Sequence, residues 1–407
     1  MLNKDKVREL AYLVKVDSIT PMDADRLECA HVGGWNCVVG KGEFSAGDPT
    51  VYFEIDSQLP DVEPFSSMEF LKSKRFKIKS QKIRGVISQG LLMPVSAFGW
   101  TIQANGTIQC DTNEVHCVDD ESRFLTKKLG VTYAASEDNE RKKTNDRYMS
   151  MTARHKRIFK TKIGKWFMQR EWGRKFMFAI FGRKRDKATG FPTKFPFVKV
   201  TDEERVENMP QILQDKEPWI KTQKIDGTSS TYILERKRFG RFEQYVCSRN
   251  VRQLTPNQKN YHKDIEGNVY WMMAEKYHIF DFLKRYLIEN KLDYVCLQGE
   301  TAGPNIQGNP HRFKKIYFFG YNLIRSDVGR INSVEAKNIC EPNGIFWVPI
   351  EDEAYILPDD METLKLDADG PCVVGQGPRE GWVYRSQDGQ RSFKNVSRQY
   401  LLKHSVN

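Results

Sequence analysis

The chain has 407 residues, 39% of them apolar and 12% aromatic, which is enough to bury two cores and too much for a disordered polymer. No uninterrupted apolar run approaches the roughly 18–20 residues of a membrane helix, and the start, MLNKDKVREL, lacks the apolar core of a secretion signal. An intracellular protein is expected. The formal charge of +11 is concentrated: residues 141–200 hold 19 Lys/Arg against three acids, so the rest of the chain is net negative. Such a block is the footprint of a polyanion binder or of a solvated basic linker. The eight cysteines never form a C-x-x-C pair and suit reduced thiols better than a disulfide framework. Cys110, His116 and Cys117 come nearest to a metal cluster but lack a second ligand pair.

Residues 1–97 read as a β-barrel. "YLVKVDSI", "RLECAHVGG", "WNCVVGKGEF", "PTVYFEIDS" and "KIRGVISQGLLMP" alternate apolar and polar positions or cluster β-branched residues, with Gly and Pro between them. About five strands and a short helical patch at "SSMEFLKSK" fit an OB-type barrel, and an SH3-like barrel fits the same pattern. Residues 98–195 read as a polar linker carrying a basic, aromatic insertion. Within it, residues 155–187 space Phe159, Ile163 and Trp166, then Trp172, Phe176 and Ile180, at helical intervals. Nucleic-acid, membrane-surface and calmodulin-like roles all fit such helices, as does a plain core stripe.

Residues 196–407 return to mixed structure. "PWIKTQ", "SSTYILER", "EQYVCSRN", "DYVCLQGE", "KKIYFFGYNLI" and "EGWVYRS" read as strands, and "GNVYWMMAEKYHIFDFLKRYLIENK" as one long helix. Strands and helices without strict alternation predict an α+β domain.

The stretch "KTQKIDGTSS" places Lys224 two residues before Asp226-Gly227. Alone, that pattern is most simply a lysine entering a turn. Four further patterns follow in order: "VCSRN" with Arg249, "LQGETAGPN" with Glu300, "REGWVYRS" with Glu380, and "SFKNVS" with Lys394. With them, the chain resembles the covalent nucleotidyltransferases, an adenylyltransferase (ATP-grasp-like) fold of antiparallel sheets and helices. Within that superfamily it is most similar to ATP-dependent RNA ligases of the Deinococcus type, which carry an N-terminal OB module. "KIKSQKIRGVISQGLLMP" resembles that module, and "VTDEERVENMP" the lead into the catalytic domain. The basic insertion lies outside the resemblance.

The resemblance implies that Lys224 takes AMP from ATP, and that Asp226, Glu300 and Glu380 hold a Mg²⁺ or Mn²⁺ ion through its waters. It implies that Lys394, Gly227 and Glu300 contact the nucleotide, that Phe319 stacks on adenine, and that Arg205 reaches the pyrophosphate. Arg249 would grip the strand that ends in the 3′-OH. Nearby cations, Lys394 and the metal, are expected to lower the Lys224 pKa. Ser392 stands where a lysine is common in the family, and Gln223 where a glutamate is common. The implied substrates are RNA or RNA/DNA duplex ends with 3′-OH and 5′-phosphate, handled by a monomer without an obligatory protein partner. The barrel is expected to help hold them by aromatic stacking. Alternatives are a DNA ligase or a GTP-using capping enzyme, both of which usually carry their OB module after the catalytic domain, and a non-catalytic RNA-binding protein.

Overall fold

The computed structural model describes residues 1–5, 7–111, 114–133, 190–254 and 268–404, together with residues 161, 166 and 172. The helices expected over 155–187 lie outside the described residues. The chain forms two packed units, one of Met1–Ala134, Thr189–Gln253 and Lys263–Val406, the other of Ala135–Ala188 with Leu254–His262. Among the described residues no helix is long and apolar enough to cross a membrane.

The first lobe is the expected OB barrel. Its central strands, Ala11–Lys15 and Pro49–Phe53, pair antiparallel, and Pro49–Phe53 also pairs with Leu91–Pro94. Alternation sends Ala11, Leu13, Val51 and Phe53 into one apolar cluster and Tyr12, Val16 and Tyr52 into another. These strands are therefore buried on both faces. The lobe extends beyond residue 97, where the sequence reads as linker: Trp100, Ile108, Val118, Leu125 and Val131 complete its first cluster. Tyr12, Trp35, Tyr52, Phe53 and Phe65 are all at most 2% exposed and form the core. These five rings stabilise the barrel by packing, while Phe70 and Tyr133 stand 49% and 56% exposed.

The second lobe has two sheets. One runs in the order Glu204–Arg205, Ser392–Val396, Gly381–Ser386, Trp219–Lys224, Ile350–Tyr355; the other runs Phe242–Cys247, Thr228–Arg236, Tyr294–Ala302, Tyr317–Arg325, Gly329–Arg330. All pairings are antiparallel except that of Glu204–Arg205 with Phe393–Lys394. Trp219, Trp382, Tyr384 and Phe393 pack beneath the first sheet with Leu357 and Leu364. The long helix read from the sequence is in fact two, Val269–Lys276 and Ile279–Glu289. His278 adopts a left-handed conformation (φ 48°) and ends the first run, a break that apolar spacing does not register. The Asn268 side chain caps the first helix by accepting from the N–H groups of Tyr270 and Trp271.

Candidate active site

Lys224 ends the strand Trp219–Lys224, and Asp226-Gly227 carries the chain across to the second sheet, which begins at Thr228. The crossing requires a glycine: a Cβ at Gly227 would lie 2.3 Å from the Thr301 carbonyl oxygen. Opposite Lys224 in the ladder is Gly381 (φ 148°), where a Cβ would come within 2.1 Å of the Asn395 carbonyl oxygen. That close passage delivers the preceding Glu380 to the amine. Lys224 Nζ lies 2.6 Å from Glu380 Oε1, and the lysine side chain is 27% exposed. The amine is largely withdrawn from bulk solvent.

Asp226 is fixed from two sides. Its carboxylate accepts a 2.6 Å hydrogen bond from Tyr400 Oη, and its backbone N–H donates to His311 Nε2 at 2.9 Å. Glu300 pairs with Phe319 across the ladder, so both side chains share a face of the second sheet. Three carboxylates thus converge on one ammonium. Burial drives the Glu300 carboxyl up to about 8, with Glu380 and Asp226 adding to the rise against the pull of Lys224. Burial and Glu380 push Asp226 up as well. For Lys224 burial acts downward, but Glu380 and Glu300 outweigh it and hold the amine above the ordinary lysine range. The expectation of a lowered lysine pKa is therefore reversed, because carboxylates rather than cations are its nearest neighbours. Glu380 Oε2 is buried with no hydrogen-bond partner among the described residues.

A second cluster is cationic. Lys394 Nζ donates to Asp202 Oδ1 at 2.9 Å, and Arg249 Nη2 lies 2.6 Å from the other oxygen of that carboxylate. Burial lowers Lys394 to about 8, helped by Arg8, Arg205 and Lys224 and opposed by Asp202. Asp202 stays ionised, at about 2: burial pushes it up, but Lys394 and Arg249 more than compensate. Arg205 pairs with Lys394 in the one parallel ladder. Its residue is 5% exposed, and Nε and Nη1 have no partner among the described residues. Its Nη2 stands 3.6 Å from Asp56 of the barrel. Two buried guanidinium nitrogens without a hydrogen-bond partner among the described residues thus stand beside a buried lysine, with the guanidinium 5.7 Å over the Trp35 ring.

The comparisons agree with this geometry. The family described as RNA ligase matches residues 217–403, and an OB-fold domain matches residues 10–95. Naegleria gruberi RNA ligase with pyrophosphate superposes with a TM-score of 0.70 at 27% identity, covering 98% of this chain and 99% of that one. A glutamate-to-alanine mutant with AMP and Mn gives 0.69 at 27% identity, and a lysine-to-alanine mutant with ATP and Mn gives 0.69 at 26%, with the same coverage. Curated proteins provide no significant match. The catalytic lobe thus matches the RNA ligase family, behind an N-terminal OB module. That OB module and the nucleotidyltransferase lobe are those read from the sequence.

In this lobe, Lys224, Asp226, Glu300 and Glu380 come together, and Lys394, Arg205 and Arg249 gather around Asp202. Phe319 lies on the Glu300 face, its ring centroid 5.7 Å from Phe313, 6.0 Å from Tyr317 and 6.2 Å from Phe346. Phe318 points to the opposite face and packs on Tyr232. Gln223 does not face a ligand: its amide donates to Cys372 Sγ and accepts from the Val373 N–H, pinning that loop. Ser392 is held by Arg330 and Glu203, so Arg205 supplies the second cation beside Lys394. Asp202, His311 and Tyr400 were missed by the sequence reading. Asp202 lies just ahead of Arg205 in "TDEER", an acid-rich stretch that offered a signal. His311 and Tyr400 offered none.

Proposed function

We propose that the chain is an ATP-dependent RNA ligase that joins 3′-OH and 5′-phosphate ends, chiefly at nicks in RNA-containing duplexes, through a lysyl-AMP intermediate. The observation that carries this reading is the Lys224 amine at 2.6 Å from Glu380, within a pocket shared by Glu300 and Asp226. Lys224 Nζ attacks the α-phosphorus of ATP. An N–P bond forms, the bond to the bridging oxygen breaks, and pyrophosphate leaves towards Lys394 and Arg205. The ammonium proton passes first to Glu380, its hydrogen-bond partner.

The carboxylates fit a divalent ion held through its waters. Among the described residues no three ligand side chains are close enough to grip a bare ion. Yet Glu380 Oε2 is orphaned, and burial with mutual repulsion drives Glu300 up to about 8. A bound Mg²⁺ or Mn²⁺ would neutralise the field that keeps Lys224 protonated. In the second step a 5′-phosphate oxygen displaces Lys224 from the AMP phosphorus, giving an adenylylated end. In the third the 3′-OH attacks the 5′-phosphate and AMP departs. Arg249, 48% exposed on its Asp202 anchor, orients the 3′-OH strand. Phe319 offers its face to adenine.

The test is incubation with α-labelled ATP and Mn²⁺, followed by denaturation. Label retained by the parent and lost in Lys224→Ala supports the reading. A parent that takes no label is the non-catalytic alternative, and label from GTP alone is the capping one.

A further inference from the structure

We infer that a basic ribbon on the barrel, residues 72–84, is the track on which the sugar-phosphate backbone of an RNA-containing duplex lies as it enters the cleft. The inference rests on the ligase reading above and names the substrate-binding surface that reading lacks. From Lys72 to Arg84 the sequence holds seven cations, Lys72, Lys74, Arg75, Lys77, Lys79, Lys82 and Arg84, and no acid. Outside residues 141–200 acids outnumber Lys/Arg, so this cluster is not a sample of a generally basic surface.

The ribbon's shape follows from its alternation. Ile78 and Ser80 turn inward, at 5% and 6% exposure, which sends Lys77 and Lys79 outward. Gln81–Ile83 then pairs with Val86–Ser88 through the two-residue turn Arg84-Gly85, both at positive φ (47° and 88°). That turn places Arg84 at a hairpin tip. Lys72 pairs with Glu69, and Lys74 donates to Gln81. Lys77, Lys79, Lys82 and Arg84 form no ion pair among the described residues. Burial and the neighbouring Lys77 lower the Lys79 pKa, with Asp56 opposing them.

The ribbon's inner end meets the cationic cluster of the cleft. Asp56 N–H donates to the Ile78 carbonyl, and the Ile78 N–H to the Ser57 carbonyl, both at 2.9 Å. Asp56 is also the residue 3.6 Å from Arg205. The ribbon's inner end therefore lies at Asp56, next to Arg205, and from there its cations run out across the barrel. Phe70, 49% exposed beneath Lys74, adds one ring beside the ribbon, but most of what the barrel offers here is charge for phosphates. The binding mode is electrostatic and indifferent to base sequence.

The experiment measures affinity for a nicked RNA duplex across a salt series, for the parent and for K77Q/K79Q/K82Q/R84Q. Four lost phosphate contacts reduce the slope of log Kd against log salt by about 3, and K82Q alone by about 1. At roughly physiological salt the quadruple variant binds at least about tenfold more weakly. K82Q decides the matter if the quadruple variant fails to melt cooperatively. An unchanged slope overturns the proposal. So does an unchanged nick slope accompanied by lost binding to phosphatidylserine vesicles, which would make the ribbon a membrane surface. Labelling of the parent at Lys224 judges the ligase reading separately: a labelled parent with unchanged variant slopes sinks the ribbon alone.

Discussion

Lys224 and Lys394 are both lysines on buried strands of the same sheet, yet their surroundings are opposite. Around Lys224 stand Glu380, Glu300 and Asp226, and the amine is held above its ordinary pKa despite burial. Around Lys394 stand Arg8, Arg205 and Lys224, with one carboxylate, and burial brings it down to about 8. The same side chain is thus prepared for two tasks. One end of the cleft has an excess of negative charge that a divalent cation would satisfy. The other has an excess of positive charge that phosphates would satisfy. The cleft is a dipole matched to a metal-bound nucleotide, and neither pole is complete without it.

The comparison can be broken most severely at its negative pole. Lys224→Ala should reduce lysyl-AMP formation by at least about four orders of magnitude, measured as label retained on the denatured protein, because nothing else there can form the N–P bond. Glu380→Gln should lower the same rate by about two to three orders of magnitude, since it removes the proton acceptor and one arm of the metal site. At the positive pole, Arg205→Ala should cost about a hundredfold, seen as a raised KM for ATP together with a lower rate. If Arg205→Ala changes neither, its unpaired nitrogens have another purpose.

Two smaller effects sharpen the contrast. Lys394 is lowered in the fold relative to the unfolded chain, where it titrates near 10.5. Between about 8 and 10.5 the unfolded chain therefore binds more protons, and stability rises with pH through that window as the burial penalty of the charged form disappears. Lys394→Met should remove this rise, so that its stability relative to the parent falls by about 1–3 kcal/mol between pH 7 and pH 10, read from denaturant melts. Tyr400→Phe deletes the 2.6 Å hydrogen bond to Asp226 and should slow adenylylation by about 3- to 10-fold, with KM for ATP little changed.

What the sequence conveyed and what it withheld differ in range. Lys224, Asp226 and Gly227 are neighbours in the chain, and Glu380 is announced by the glycine that must follow it. The strands ending at these residues were legible because both sheets are built from runs that alternate or cluster β-branched residues. The partners of Asp226 were not legible: Tyr400 and His311 lie 174 and 85 residues away and bear no local mark. The direction of the Lys224 shift was misread for the same reason, since it depends on how many carboxylates the fold delivers. Gln223, which stands where a glutamate is common, spends both ends of its amide on residues 372–373, a pairing its position does not announce. Composition likewise does not distinguish the barrel's exposed rings, Phe70 and Tyr133, from buried ones such as Tyr12 and Phe53.

The most direct test of the central claim is peptide mapping by mass spectrometry after the protein is incubated with ATP and Mn²⁺. The account predicts one peptide, the one containing Lys224, heavier by a single adenylyl group, acid-labile as a phosphoramidate and absent when the metal is chelated. An adenylyl group on any other residue, or none on a folded protein supplied with metal, would contradict it.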